Sequence, residues 1–275
     1  MIHQCNIVID GETNSFPVEG EFSWGKDETL FSLQDNLISK TSWHKKGYTV
    51  IPAFSQEEFN AAKASITKNI LNVLRDKNVA ADESSFTLEH YHKLVTDKDK
   101  HNEIINVTRE FKNEDFTFDI DKLKEKISAI LGYKLSSYNK ELGRSLIQVR
   151  LSRPESYDIN PPHRDAYLSF YSNIINLWIP IAGCNEKSSL PILPGSHLLN
   201  EKDIYRTENK GAKINGNVYN VPCILETKEG VINMVRPNPK ETEALVFTPF
   251  LIHGAAMNRN KDITRVALEL RFVKA

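Results

Sequence analysis

The chain has 275 residues, of which 40% are hydrophobic and 26% are charged, an ordinary balance for a globular protein with material for a large core. The formal net charge of -1 gives no electrostatic reason to expect a nucleic acid or an anionic membrane as a partner. The three cysteines, Cys5, Cys184 and Cys223, have no C-x-x-C spacing and predict free thiols. Neither a signal peptide nor a membrane-spanning stretch is apparent, so we expect a cytoplasmic protein, and its oligomeric state stays open.

Residues 1–42 are interpreted as an N-terminal extension. Apolar residues alternate weakly around Ile7 and Ile9, and Asp10-Gly11 is a turn signal that could close a small hairpin. Such a hairpin would pack at a sheet edge or serve as an oligomer contact. Residues 43–275 are predicted to form a single domain.

The first half of that domain is predicted to be a helical layer. A short strand at 47–54 precedes a helix that the capping-box pattern Ser55-Gln-Glu-Glu58 opens and that runs to about residue 75. A further helix is expected at 119–131, with Gly132 as its C-cap. The chain between these helices is polar and contains His90, His92 and His101. His90-Tyr91-His92 superficially resembles a metal pair but has no acidic partner at a convincing spacing, so we expect ordinary surface histidines.

The second half has the periodicity of β-strands. Stretches at 147–152, 174–180 and 265–272 each alternate apolar with polar residues. One interpretation is an antiparallel sheet with its polar face in solvent, which is the commoner arrangement. We favour the other, in which the apolar faces pack on the helices and the polar faces line a barrel that binds something, because a charged interior is otherwise costly.

The stretch from about residue 199 to 242 is the least regular part of the second half. It has several turn signals and no sustained alternation. We therefore predict a lid-like excursion over the mouth of the barrel, since functional lids are often long irregular loops.

A His-x-Asp motif, His163-Arg-Asp165, lies between two of the predicted strands. In an extended chain both side chains leave the backbone on the same face. A third ligand from a neighbouring strand, such as His253, would complete a set of two histidines and one carboxylate, which suits non-haem Fe(II). By itself His-x-Asp is a weak signal.

Several motifs in a fixed order resemble the phytanoyl-CoA dioxygenase family of Fe(II)/2-oxoglutarate oxygenases. The resemblance covers residues of about 43 to 273. It rests on His163-Arg-Asp165, Asn176-Leu-Trp178-Ile-Pro180, Leu193-Pro-Gly-Ser-His197, and His253 with Asn258 and Arg265. It implies an α+β, mainly β fold, in which a double-stranded β-helix (a cupin-like jelly roll) carries the N-terminal helices on one sheet.

The resemblance also implies the site. The iron ligands would be His163, Asp165 and His253, and Arg265 would hold the distal carboxylate of 2-oxoglutarate. Arginine suits that task because it is always charged and can bind a carboxylate through two hydrogen bonds. Asn176 and Gln148 lie on the same inward strand faces and are expected as polar contacts to the cofactor, and Trp178 would wall the site. His197 belongs to a structural signature in the family, so it is not expected to be a ligand.

The expected cofactor and co-substrates are Fe(II), 2-oxoglutarate and O2, and the expected reaction is hydroxylation of a C-H bond with release of succinate and CO2. Relatives that halogenate lack the carboxylate ligand, whereas Asp165 is present here. One alternative is a cupin-like isomerase or hydrolase with another metal. Another is a jelly-roll binding module without catalysis.

The substrate is not revealed by the sequence. The candidate residues for an anionic group are Arg150, Arg164, Arg271 and Arg236. Each of them could equally pair with a carboxylate such as Glu269. On this basis we expect a small polar or anionic metabolite.

Overall fold

The computed structural model describes residues 1–34, 36–156, 160–208, 211–214 and 216–275. These contain the helices α1 (Gln56–Asp76), α2 (Tyr91–Leu94), α3 (Lys98–Thr108) and α4 (Ile120–Leu131). The strands are β1 (Ile2–Ile9), β2 (Glu12–Glu19), β3 (Phe22–Trp24), β4 (Tyr48–Pro52), β5 (Leu135–Ser136), β6 (Tyr138–Asn139), β7 (Arg144–Ser152), β8 (Ile174–Ala182), β9 (Ile204–Thr207), β10 (Ala212–Ile214), β11 (Asn217–Tyr219), β12 (Ile224–Thr227), β13 (Gly230–Met234), β14 (Glu243–Phe247) and β15 (Arg265–Lys274). Short 3₁₀ helices span Leu88–His90, Asn113–Asp115, Asp165–Tyr167, Ser169–Tyr171, Ser196–Leu198 and Glu201–Asp203.

Seven strands form an antiparallel sheet that carries most of the site. Its order is β4-β14-β8-β15-β7-β6, and β5 pairs with the end of β15. The long strand β15 is central and pairs with β8 on one side and β7 on the other. The alternation predicted for these three strands is therefore realised within one sheet.

The two faces of this sheet differ as predicted. The outer side chains, such as Val149, Leu177 and Leu268, belong to a large apolar core shared with the helices. The inner side chains include the charged row of β15 and the indole of Trp178, and they line a cavity. This arrangement confirms that helices cover the apolar face and that the polar face lies inside the protein.

The helices begin and end at the signals in the sequence. At the start of α1 the Ser55 hydroxyl accepts a hydrogen bond from the Glu58 amide at 3.1 Å, and the Glu58 carboxylate accepts one from the Ser55 amide at 2.8 Å. Helix α4 ends at Gly132, whose φ of 70° is a left-handed conformation that glycine adopts at little cost. Both predicted helices are thus present.

The second sheet has eight strands in the order β11-β10-β2-β1-β13-β12-β9-β3. Strands β1 and β2 form a hairpin across the Asp10-Gly11 turn, where both residues have positive φ. Strand β1 also pairs in parallel with β13, with Ile7 opposite Ile232. Residues from the first 42 therefore share a sheet and an apolar core with the second half of the chain.

The stretch from residue 199 to 242 is not the irregular lid that its sequence suggested. It contributes β9 to β13, which are strands of three to five residues in the eight-stranded sheet. Strands this short contain too few alternations to be recognised by period, so the turn signals between them dominated the prediction. The residues described in this stretch do not line the cavity.

The three histidines of this polar stretch differ in exposure: His90 is exposed, His92 is partly buried and His101 is buried. His101 is fully buried and its Nδ1 lies 3.0 Å from the Tyr91 hydroxyl. His92 is hydrogen-bonded to the Thr264 hydroxyl at 2.9 Å and lies 3.0 Å from the Asp262 carboxylate, so it ties α2 to the loop before β15. The long-range partners of His101 and His92 are invisible in a local polar stretch.

We predict that truncating a side chain on the outer face of β15 destabilises the protein strongly. Leu268 is fully buried there, and Leu268→Ala should lower the free energy of unfolding by about 2–5 kcal/mol through lost burial and a residual cavity. The matched control is Val231→Ala on β13, where the side chain is half exposed and the expected loss is below about 0.5 kcal/mol. Urea unfolding followed by circular dichroism measures both. A Leu268→Ala loss no larger than that of the control would contradict the assignment of this face to the core.

Candidate metal centre

Two distant segments are joined by backbone pairing so that their histidines meet. His163 and His253 form an isolated antiparallel bridge, with amide-to-carbonyl distances of 2.9 and 3.0 Å. Their rings lie beside each other, with centroids 4.4 Å apart. The pairing brings together side chains that are ninety residues apart in the sequence.

The orientation of both imidazoles is set by the backbone. The Nδ1 atom of His163 lies 2.7 Å from the Pro161 carbonyl, and that of His253 lies 3.0 Å from the Leu251 carbonyl. A carbonyl can only accept, so each Nδ1 carries a hydrogen, and Nε2 is the nitrogen on which a neutral ring has its lone pair. The two Nε2 atoms face the carboxylate of Asp165. Metal-binding histidines are commonly oriented in this way, by a hydrogen bond from the ring nitrogen that does not bind the metal.

Asp165 completes the cluster. Its Oδ1 lies 3.3 Å from the His163 Nε2 and 3.8 Å from the His253 Nε2. The donor atoms of the three residues all lie within 4.8 Å of one another, and all three residues are buried. Two neutral imidazole nitrogens and one carboxylate oxygen are a donor set that fits Fe(II) and leaves coordination positions for other ligands.

The electrostatics of the cluster keep these donors in the forms that a cation needs. Burial raises the pKa of the Asp165 carboxyl, but the charge of Arg271, followed by the interactions with His253 and His163, outweighs it and holds the pKa well below its usual range. Burial, followed by the proximity of His163, lowers the pKa of His253 to about 4. Near neutral pH the carboxylate is therefore ionised and the His253 imidazole is neutral.

Gly254 permits the close approach of the two ligand segments. Its φ is 119°, and a Cβ at this position would lie 2.3 Å from the Pro161 carbonyl oxygen and 3.1 Å from the His163 Nδ1. A larger residue would therefore displace the carbonyl that orients the imidazole. The sequence contains the signal, a glycine directly after a candidate ligand, but its role depends on the partner segment.

The cavity next to the cluster contains many of the residues predicted for the site. Its lining includes both histidines together with Asn176, Trp178, Arg265, Arg150 and Arg271. Arg265 is only 4% exposed, and its Nη2 donates to the Ala256 carbonyl at 3.2 Å. Thus the guanidinium proposed for the cofactor shares one cavity with the two candidate histidine ligands.

Arg150 and Arg271 both contact the carboxylate of Glu269. The Arg150 Nε lies 3.0 Å from the Glu269 Oε2, and the Arg271 Nη2 lies 3.7 Å from the same oxygen. Burial raises the pKa of Glu269, but the charges of Arg150 and then Arg271 outweigh it, so the net pKa is lowered. The structure thus realises the carboxylate pairing that the sequence left open as an alternative to substrate binding.

Arg164 is turned away from the cavity. It is fully buried, forms an ion pair with Glu201, and donates to the Leu199 carbonyl at 3.3 Å. The reason is the period of an extended chain, because His163 and Asp165 point to one side and the residue between them points to the other. This placement corrects the expectation that Arg164 contacts a substrate.

Two further predicted residues also lie outside the cavity lining. Arg236 donates to the carbonyls of Ser189 and Met257 and lies 3.7 Å from the Asp10 carboxylate, so it joins the N-terminal hairpin to the second half. Gln148 shares the inner face of β7 and stands opposite Glu269, but it does not line the cavity. The expectation that Arg236 belongs to a lid is therefore corrected, because the stretch expected to form the lid contributes strands to the eight-stranded sheet.

His197 lies in a different environment from the cluster. Its Nε2 lies 2.7 Å from the His44 carbonyl, and its ring packs edge-on against Phe31 at 4.8 Å between centroids. Burial lowers its pKa to about 4. These contacts tie the Pro-Gly-Ser-His turn to the chain that precedes β4.

Helix α3 contributes residues that the sequence did not mark. Ile105 on the helix and Arg109 directly after its end line the cavity, and the Thr108 hydroxyl fastens this end of the helix by donating to the Val149 carbonyl at 2.8 Å. Asn160 lines it as well. Helix α3 lies in the polar stretch between the two predicted helices, so no local sequence signal distinguished these side chains.

A profile of the phytanoyl-CoA dioxygenase (PhyH) family matches residues 43–267. The chain belongs to this family. The resemblance seen in the sequence is thereby confirmed, as is the jelly-roll fold that it implied. The cofactors are those of the family, Fe(II) and 2-oxoglutarate, and the His-Asp-His cluster fits the metal.

Solved structures offer distant likenesses. One is a non-heme alpha ketoglutarate dependent epimerase, SnoN from nogalamycin biosynthesis, with 11% identity, 88% of this chain and 83% of that chain covered, and a TM-score of 0.48. Another is EctD from S. alaskensis, with 15% identity, 93% of this chain and 85% of that chain covered, and a TM-score of 0.46. A third is the carbocyclase SnoK from nogalamycin biosynthesis, with 15% identity, 91% of this chain and 88% of that chain covered, and a TM-score of 0.47. A comparison with curated protein sequences finds no match. Among the described residues, no helix is long and apolar enough to cross a membrane.

We predict that the buried partner of Arg164 is essential for stability. Glu201 is 1% exposed, and Glu201→Gln would leave the Arg164 charge buried without its carboxylate, at a cost of about 3–5 kcal/mol in the free energy of unfolding. The matched control is Asp203→Asn, since Asp203 pairs with Lys228 nearer the surface and its loss should cost less than about 1 kcal/mol. Chemical denaturation measures both variants. Equal losses in the two would show that the buried pair is not what holds this segment.

Proposed function

We propose that the protein is a hydroxylase that couples the oxidative decarboxylation of 2-oxoglutarate to oxidation of a C-H bond in a small polar or anionic metabolite, with release of succinate and CO2. One observation carries this proposal. Two histidines of a buried cluster with one carboxylate line a single cavity together with the buried guanidinium of Arg265.

In this proposal His163, Asp165 and His253 hold the iron through two Nε2 atoms and Oδ1. The support is the orientation of the two imidazoles, which backbone carbonyls fix. Bound Fe(II), with 2-oxoglutarate and O2, supplies the oxidising chemistry. The protein positions the reactants and excludes water from a buried site.

Arg265 is proposed to bind the distal carboxylate of 2-oxoglutarate. It lies on the inner face of β15, is 4% exposed, and one of its nitrogens is held by the Ala256 carbonyl. A guanidinium held in this way can meet a carboxylate with little loss of side-chain freedom. A metal-dependent hydrolase or isomerase would have no need for this second carboxylate anchor, and for this reason the oxygenase is preferred.

The substrate is proposed to lie between the cluster and helix α3. Arg109 and Asn160 offer polar contacts in this part of the lining, whereas Ile105, Leu190 and Phe247 offer apolar ones. Such a wall suits a small molecule with one polar or anionic end and a carbon skeleton. Asp165 favours hydroxylation over halogenation, because halogenating relatives lack that carboxylate.

The proposal is tested by 2-oxoglutarate turnover. Purified protein with Fe(II), ascorbate and air should convert 2-oxoglutarate to succinate, with a basal rate that a true substrate increases. Asp165→Ala should abolish this turnover by removing a ligand. A folded wild-type protein that binds neither Fe(II) nor 2-oxoglutarate, and that yields no succinate with any of a panel of small metabolites, would refute the oxygenase.

A separate prediction concerns Arg265. Arg265→Ala should weaken 2-oxoglutarate binding by about 2–5 kcal/mol, because the loss of one partner in a buried charge pair leaves the other unpaired. The matched control is Arg75→Ala, which removes an exposed arginine at the end of α1 and should leave the 2-oxoglutarate requirement unchanged. The measurement is KM for 2-oxoglutarate, together with its dissociation constant by calorimetry. An unchanged requirement in Arg265→Ala would show that the cofactor carboxylate binds elsewhere.

A further inference from the structure

The two oxygens of the Asp165 carboxylate have different surroundings. Oδ1 faces the Nε2 atoms of the two histidines at 3.3 and 3.8 Å. Oδ2 accepts hydrogen bonds from the Asn176 Nδ2 at 3.0 Å and from the Arg271 Nε at 3.3 Å. One oxygen is thus turned toward the imidazoles, and the other is engaged by two donors.

The sheet register places both donors beside the carboxylate. Asn176 on β8 and Arg271 on β15 are directly opposite each other, and both project from the inner face of the sheet. Asn176 is 2% exposed and Arg271 is 8% exposed, so neither is free to move into solvent. The Oδ2 atom of Asp165 is therefore held by two strands in the middle of the sheet and not by a loop.

Arg271 is itself held from behind. Its Nη2 lies 3.7 Å from the Glu269 carboxylate, which the Arg150 Nε holds at 3.0 Å. Its guanidinium also lies 5.2 Å from the centre of the Tyr171 ring. Along this row the charges alternate in sign from Arg150 through Glu269 and Arg271 to Asp165, so each buried charge has an opposite neighbour.

Such an arrangement limits how the carboxylate can turn. A carboxylate with one oxygen fixed by two buried donors can present its other oxygen in a single direction, which here is toward the two Nε2 atoms. A lysine could supply charge at this place, but its single ammonium lacks the planar fork that reaches Asp165 and Glu269 together. If the planar geometry of the guanidinium matters, Arg271→Lys should not restore the wild-type properties. If only its charge matters, Arg271→Lys should restore them.

We propose that Arg271 is a positioning residue: together with Asn176 it holds the Oδ2 atom of Asp165, so that Asp165 offers the metal one oxygen, Oδ1. The Glu269–Arg150 pair holds Arg271 in place. This inference rests on the proposed function, because it takes His163, Asp165 and His253 as the metal ligands. It gives Arg271 and Arg150 a task other than substrate binding.

The test uses Co(II) as a spectroscopic probe in the metal-free protein, without 2-oxoglutarate or substrate. Arg271→Met, Arg271→Lys and Asn176→Ser should each change the visible absorption of bound Co(II). Arg271→Met should also lower Co(II) affinity by about 10- to 100-fold, the usual effect of losing a partner of a metal ligand. Asn176→Ser removes one donor without unpairing a charge, so it keeps the test valid if Arg271→Met does not fold.

The matched control is Arg265→Met. It removes an arginine from the same strand and the same inner face, but this arginine donates to the Ala256 carbonyl instead of to Asp165. Arg265→Met should bind Co(II) with the affinity and spectrum of the wild type while its 2-oxoglutarate affinity falls. The two arginines are thereby separated by two different readouts.

Two outcomes would overturn the inference while the proposed function stands. The first is a wild-type Co(II) spectrum and affinity in folded Arg271→Met or Asn176→Ser. This result would show that the contact with the Oδ2 atom neutralises charge but does not position Asp165. The second is full recovery of both properties in Arg271→Lys, which would show that charge matters and geometry does not. A wild-type protein that binds no Co(II) or Fe(II) would instead overturn the proposed function, and this inference with it.

Discussion

The interaction on which the structure depends is the buried ion pair between Asp165 and Arg271. A carboxylate that is 3% exposed is costly to bury, and here it is stabilised by a guanidinium 3.3 Å away and by an amide 3.0 Å away. The guanidinium in turn requires Glu269, and Glu269 requires Arg150. The inner face of the seven-stranded sheet is therefore a connected row of opposite charges, and a metal can be held at one end of it.

This charged interior explains why the rest of the chain is arranged as it is. A sheet whose polar face lies inside the protein must cover its apolar face with something else, and α1, α3 and α4 do so in one large core. The eight-stranded sheet closes the other side, with strands drawn from the N-terminus and from 199–242. The segments that carry His163 and His253 pair with each other, and the carbonyls of Pro161 and Leu251 orient the imidazoles.

Much of this could be predicted locally. The alternation in β7, β8 and β15 distinguished the inner from the outer face, and the capping signals marked α1 and α4. The family motifs led to the jelly-roll fold and to the cluster of His163, Asp165 and His253. These predictions succeeded because strand period, helix caps and the two-residue spacing of His-x-Asp are properties of neighbouring residues.

The sequence by itself determined the class of fold, the family and the face on which Arg265 lies. The tertiary structure decided which arginines pair with carboxylates, which point away, and which side chains of α3 reach the cavity. It also decided that the stretch 199–242 contributes β9 to β13 and that His101 is buried. The physical reason is common to these cases: each outcome is set by a partner distant in the chain, and a local pattern contains no information about that partner's position.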